Sequence, residues 1–365
     1  MRAVFTPNVS YVTTPLPANA PIDPHSADYL ADFLNKLQTN PYMPAFGVEQ
    51  LPSAMHIVPS GAPTRRILSG GWDNTTHSIV TGSHPDLDAQ MTAVPVPDSF
   101  YAAHDGALED DGAGGKTIGD CVYSIYQPST DTIWEFWGAA KNGTTFDSTG
   151  RLVDQWVIMY GGRMDKVSQN PGYFIPGYYG ANAAGLPTAA GCMTIAELQA
   201  GSIDHILGFE MPSPGSTVRY PAQRSDGPDP APYAVPEGMV FRFPSDINFD
   251  TYVNPVTGVK LDRYGLMVAK AVQRYGMICW DQSGIFQFRC EGTGRPSTYT
   301  PATDPYWMKG GILLCPVDVD HTIDDPNALL CDATQHFGNW SDPQIPWDKL
   351  VVVAESYFLG HWPPR

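Results

Sequence analysis

Charge is scarce in this chain. Asp, Glu, Lys and Arg make up 16% of its 365 residues, against roughly 25% in an average soluble protein. What charge there is leans acidic, with 38 Asp and Glu against 21 Lys and Arg and a formal net charge of −17. Such a surface repels polyanions at long range, so nucleic acid is not an expected partner. Long apolar runs are missing too: nothing approaches the roughly 18 residues of a membrane-spanning helix, and no span is expected. The six cysteines, Cys121, Cys192, Cys279, Cys290, Cys315 and Cys331, never form a C-x-x-C pair. This argues against a zinc ribbon or redox motif and for reduced core thiols. There is no G-x-S-x-G elbow, dinucleotide fingerprint or H-E-x-x-H motif. Gly115-Lys116-Thr117 matches the end of a phosphate loop, but Asp110 stands where its leading glycine belongs. Residues 1–12 carry no apolar stretch of the kind an export signal needs, so no signal peptide is expected.

What the chain has in abundance is Gly and Pro, 35 of each. These residues punctuate chains instead of extending helices, so many short strands joined by turns are expected. Residues 121–126 and 132–137 are aromatic-rich runs separated by Pro128-Ser129-Thr130-Asp131, a hairpin signal. Residues 156–160 read as a further strand. In residues 203–210, Ile203, His205, Leu207 and Phe209 alternate with Asp204, Ile206, Gly208 and Glu210. Residues 239–243, 277–280 and 285–289 continue the pattern, the last two joined by a turn at 281–284.

Helices are few. Leu30, Phe33, Leu34 and Leu37 share one face after Ser26, predicting a helix that ends before Pro41. Thr194-Ile195-Ala196-Glu197 is a capping-box pattern with Gly201 as a left-handed stop. A third helix is expected over 261–275, ending at Gly276. Residues 1–25, broken by Pro15, Pro17, Pro21 and Pro24, read as an extended arm, and residues 212–236 as a long surface loop. The fold class expected is mainly β, a jelly-roll-like antiparallel β-sandwich with two or three short covering α-helices. The divisions are an arm over 1–25, the sandwich over 26–291, an insertion over 292–340, and a C-terminal strand and tail over 341–365.

The order of several motifs carries a resemblance. Asp23-Pro24-His25-Ser26 is followed by Met55-His56-Ile57-Val58, the aromatic strand pair, Ala184-Gly185-Leu186-Pro187 and the helix stopping at Gly201. Then come the 203–209 strand, Met239-Val240-Phe241-Arg242, and Tyr275-Gly276-Met277 leading to Asp281. Over residues 20–291 this series resembles the minor tail proteins of actinobacterial phages and a related family of secreted bacterial and fungal β-rich proteins of uncharacterised function. The resemblance implies a structural component of a phage tail tip, assembled in the host cytoplasm into the virion as part of a symmetric assembly. Its implied contacts are other tail proteins and the host cell-wall glycan. Two departures stand out: Asp120-Cys121 and Tyr220-Pro221-Ala222-Gln223-Arg224 occupy places where the family carries histidines that a hydrolytic or lyase mechanism would use.

Among candidate site residues, Glu135 lies between Trp134 and Phe136, with Trp137 beyond. Aromatic rings that stack on sugar faces beside an acid are what glycan-cleaving sandwiches use, while the same pattern also fits a solvent-face Glu on an amphipathic strand. His205 reads either as a catalytic group or as a hydrogen-bonded core histidine. Trp134, Trp137, Asp204, Trp280 and Asp281 are the candidates for ligand binding. Asp105, Glu109, Asp110 and Asp111 form an acidic loop able to hold calcium, although it lacks EF-hand spacing. Asp318, Asp320, His321, Asp324 and Asp325 form a second such cluster. No other cofactor is expected. An enzyme acting on cell-wall polysaccharide and a non-catalytic carbohydrate-binding module stand as alternatives to the tail-tip reading.

Overall fold

A computed structural model describes residues 4–39, 45–47, 53–96, 108–110, 116–118, 122–142, 155–172, 174, 180–255, 258, 260–261, 263–291 and 345–363. Along the chain the elements are α1 (Ser26–Thr39), β1 (Ala45–Gly47), β2 (Ser53–Ile57), β3 (Ile67–Asp73), β4 (Ser78–Thr81), α2 (Pro85–Gln90), β5 (Leu108–Asp110), β6 (Lys116–Ile118), β7 (Val122–Gln127), β8 (Thr132–Asn142) and β9 (Gln155–Asp165). They continue with α3 (Thr188–Gly191), α4 (Ile195–Ala200), β10 (Leu207–Met211), β11 (Gly215–Val218), β12 (Pro236–Glu237), β13 (Val240–Arg242), α5 (Arg263–Tyr275), β14 (Met277–Gln282), β15 (Gln287–Arg289), β16 (Val351–Val352) and α6 (Glu355–His361).

The fold is mainly β and sandwich-like. One six-stranded sheet runs β2-β7-β8-β9-β3-β4 and the other β1-β15-β10-β14-β13-β16, with small β11-β12 and β5-β6 pairs beside them. The pairing is mixed, not wholly antiparallel: β2 with β7, β3 with β9, β1 with β15 and β10 with β14 are parallel. Parallel neighbours need long crossover connections, and the stretch from β10 to β14, with its proline-rich loop and α5, is one.

The β7–β8 hairpin forms as expected, with Ser124 opposite Glu135 and Ile125 opposite Trp134. Its turn places Asp131 at a φ of 51°, and the Asp131 carboxylate accepts from the Ser168 hydroxyl at 2.6 Å. The hairpin expected between β14 and β15 does not form. β10 lies between them, parallel to β14 and antiparallel to β15. Strands two apart in a sheet are separated by only about 10 Å, which the short 283–286 connection spans. Strand β10 itself begins at Leu207, so Asp204 and His205 precede it.

Three apolar clusters hold the layers. On the outer face of the second sheet, Phe33 of α1 packs its ring 5.1 Å from Phe241 and 5.3 Å from Phe286, with Phe209, Val268 of α5 and Trp347 in the same cluster. Full burial of each such ring contributes roughly 1.5–3 kcal/mol. On the far face of the first sheet, Tyr123, Ile125, Trp134 and Phe136 meet Leu87 and Met91 at α2. Between the sheets, Met55, Ile133 and Met164 share a cluster with Ile206, Val240, Ile278 and Trp280. α3 touches β10 on one side and β2 and β7 on the other.

The N-terminal arm is part of this interior. Val4, Phe5, Tyr11, Val12 and Leu16 are buried in the same cluster, the Ile206 amide donates to Val12 O at 2.8 Å, and Arg242 Nη1 donates to Pro17 O at 2.7 Å. At the other end, the expected C-terminal strand is only β16, which pairs with β13. It is followed by α6, whose Phe358 ring lies 6.1 Å from Tyr11. The expected start of α1 holds, and Ser26 Oγ accepts from the Val352 amide at 2.8 Å, tying that helix to β16. The capping box also forms: Thr194 accepts from the Glu197 amide, and Gly201 closes α4 with a φ of 81°. α5 and its stop at Gly276 match the reading to within two residues. Cys192, Cys279 and Cys290 are buried free thiols, and the other cysteines lie outside the described residues, as do residues 292–340. Among the described residues, no helix is long and apolar enough to cross a membrane.

Candidate functional site

The alternation of β8 decides where its acid and aromatics go. Ile133 points between the sheets and Trp134 and Phe136 point away from them, so Glu135 is carried inward by the two-residue period. It is fully buried, at 0% exposure. The Ser124 hydroxyl and the Ala189 amide donate to its Oε1 at 3.0 and 2.8 Å, and the Thr188 amide donates to Oε2 at 2.9 Å. Glu135 therefore receives the free amides that open α3, a bond between one sheet and the segment packed on the other. Burial pushes its carboxyl up to about 7, against the pull of those three donors. This corrects both readings of Glu135, since it faces neither solvent nor an open groove.

The segment before α3 is organised by Asn182. Its side-chain oxygen accepts from the Leu186 amide at 3.0 Å, and its amide nitrogen donates to Thr188 Oγ1 at 3.1 Å. The Ala184 amide donates to Trp280 O at 2.9 Å, tying this turn to β14. The turn that holds Ala184-Gly185-Leu186-Pro187 thus bridges β14 and Glu135 of β8.

Beside this turn opens a cleft of about 660 Å³. Trp137, Met159 and Tyr160 line it from the first sheet, Glu210, Asp281 and Arg289 from the second, and Arg224 and Asp226 from the loop after β11. Trp137 and Tyr160 are half-buried. The Arg224 guanidinium lies 5.6 Å from the Tyr160 ring centre, and His84 meets the same ring edge-on at 5.5 Å. On the floor, Arg289 Nε donates to Glu210 Oε1 at 2.6 Å, and Gln287 donates to the other carboxylate oxygen. At one margin the carboxylates of Asp226, Glu237 and Asp281 have oxygen atoms all within 4.8 Å of one another.

Of the residues singled out by sequence, the cleft brings together Trp137 and Asp281. Trp280 points the other way, 1% exposed in the core between the sheets. Trp134 is buried beneath α2, where Arg163 lies 5.7 Å from its ring centre. Asp204 is half-buried and does not line the cleft. His205 is a buried core histidine, with Nδ1 2.6 Å from Ile206 O and Nε2 3.2 Å from Glu197 Oε2. Both ring nitrogens face acceptors, so the doubly protonated ring satisfies both. Burial disfavours that cation, but the Glu197 carboxylate and the Ile206 carbonyl outweigh it and raise the His205 pKa. Of the acidic loop, Glu109 and Asp110 fall on β5. Asp105, Asp111 and the 318–325 cluster lie outside the described residues.

Sequence reasoning missed Asp226, Glu237, Arg224 and Tyr160. A usable signal exists for Glu237, a single acid inside the otherwise apolar run Val235-Pro236-Glu237-Gly238-Met239-Val240. No family model, no curated protein and no solved structure matches the chain.

Proposed function

We propose that the protein is an interaction component of a phage tail tip that engages cell-wall polysaccharide of its host through the cleft beside Trp137. The cleft carries this reading. It is large enough for several sugar units, walled by two aromatic side chains, and furnished with both signs of charge and with Asn182 and Gln282 on two separate turns. Sugars are bound by stacking on rings and by a few placed polar groups. The tail-tip context rests on the ordered motifs between residues 20 and 291, and the mixed sheets give a rigid platform for such a surface.

Binding of the purified protein to insoluble cell-wall polysaccharide from an actinobacterial host tests the reading. Wild type is retained, and Trp137→Ala weakens retention at least about tenfold, equivalent to about 1.4 kcal/mol, while melting within a few degrees of wild type. Retention unchanged by Trp137→Ala, or no retention of wild type, counts against the proposal. A second reading, glycan cleavage, is favoured by one observation: Asp226 and Asp281 present two acids to the same cleft. New reducing ends in the polysaccharide after incubation, lost in Asp281→Asn, would select it.

A further inference from the structure

Glu237 is the most unusual group in the molecule. It sits on β12 with 0% exposure; no hydrogen bond of good geometry reaches either carboxylate oxygen, and its nearest polar neighbour is Asp226. Buried polar atoms are almost always satisfied, and Glu135 and Glu210 in this same fold are. The backbone around Glu237 is fixed: its carbonyl accepts from the Arg219 amide at 3.0 Å, and the next amide, of Gly238, donates to Cys279 O at 2.7 Å. The side chain is thus held against β14, beside Asp281.

Two further acids converge on it from separate parts of the chain. Asp226 is exposed and Asp281 half-buried, and both line the cleft while Glu237 lies behind them. Burial pushes the Glu237 carboxyl up to about 10, with a proton shared toward Asp226 and the charge of Asp281 adding to the rise, so Glu237 holds a proton at neutral pH that a cation has to displace. Of the cleft's arginines, Arg289 pairs with Glu210 and Arg224 lies over the Tyr160 ring.

We infer that Asp226, Glu237 and Asp281 form a binding site for a hard divalent cation at the margin of the cleft. Oxygen-only donors select calcium, magnesium or manganese over softer metals. A cation reached from the cleft through Asp226 and Asp281 takes one oxygen from each of the three acids and displaces the Glu237 proton to the solvent. The inference is independent of the polysaccharide reading, because it concerns the protein alone.

The test uses the full chain, stripped with chelator and dialysed, then titrated calorimetrically with calcium, magnesium or manganese chloride at pH 7.5. At least one cation binds at one site per chain with a Kd tighter than about 1 mM, and 10 mM of it raises the melting temperature by about 2 °C or more. Glu237→Gln and Asp226→Asn each weaken that binding at least tenfold. Should Glu237→Gln fail to fold, exposed Asp226→Asn carries the test alone. No binding of any of the three cations at 10 mM, or Asp226→Asn binding as wild type does, overturns the inference. The titration contains no glycan, so its failure leaves retention on polysaccharide to be judged by its own experiment.

Discussion

Replacing Glu135 with alanine destabilises the protein by about 3–5 kcal/mol, read as a fall in melting temperature of roughly 4–7 °C. The change strands the Ser124 hydroxyl and the Thr188 and Ala189 amides, all of which end on this one carboxyl, and leaves a cavity between the layers. Glu135→Gln, which keeps the shape, loses less. The pair also separates by pH. Burial raises the Glu135 carboxyl from 4.5 to about 7, so the folded chain holds a proton that the unfolded chain releases between those values. Its contribution is therefore complete below about pH 4.5 and is lost as pH rises through 7. Glutamine does not titrate, so the deficit of Glu135→Gln relative to wild type is largest at about pH 4.5 and shrinks steadily to pH 7.5. Comparing variant with wild type removes the background from Glu237, raised in the same sense, and from Glu197, whose lowered carboxyl acts only below 4.5. A deficit that stays constant or grows across this range contradicts the assignment.

The second large effect is at Gly208. A Cβ added there lies 2.1 Å from both Cη2 and Cζ3 of Trp280, so the indole rests directly on the β10 backbone. Gly208→Ala costs about 3 kcal/mol, at the upper end for overpacking a core, because Trp280 is enclosed and has nowhere to move. The cause is testable by a cycle. Trp280→Leu is itself destabilising through the space it leaves, but Gly208→Ala added to it costs less than half as much as in wild type, a coupling of at least about 1.5 kcal/mol. Gly208→Ala within 0.5 kcal/mol of wild type in chemical denaturation, itself about the ordinary range for a surface change, contradicts the packing described here.

These two sites show why some of the fold was legible in sequence and some was not. The β7–β8 hairpin, the Thr194–Glu197 capping box and the ends of α1 and α5 are specified within a dozen residues, and local pattern finds them. The insertion of β10 between β14 and β15 is a pairing across more than sixty positions, from Glu210 to Asp281 and Gln287, and nothing near residue 281 announces it. The same holds for Glu135. Alternation along β8 puts it on the face opposite Trp134 and Phe136, but which side is interior depends on the Thr188–Gly191 helix that covers it, built from sequence fifty residues away. Aromatic content alone misassigned Trp134 and Trp280, because a ring in a strand serves a core as well as a ligand. The acid cluster is harder still: Asp226 comes from a loop, Glu237 from a two-residue strand and Asp281 from the end of β14, and only tertiary pairing gathers them.

We propose that the cleft between the two sheets is the surface through which this protein meets its target. Hydrogen–deuterium exchange measured with and without soluble cell-wall polysaccharide tests it most directly. The account predicts slowed exchange in peptides covering residues 155–160, 180–183 and 281–284, which border the cleft, with little change in α1 and α5 on the far side. Protection confined to α1 and α5, or none in the three bordering segments at saturating polysaccharide, contradicts it.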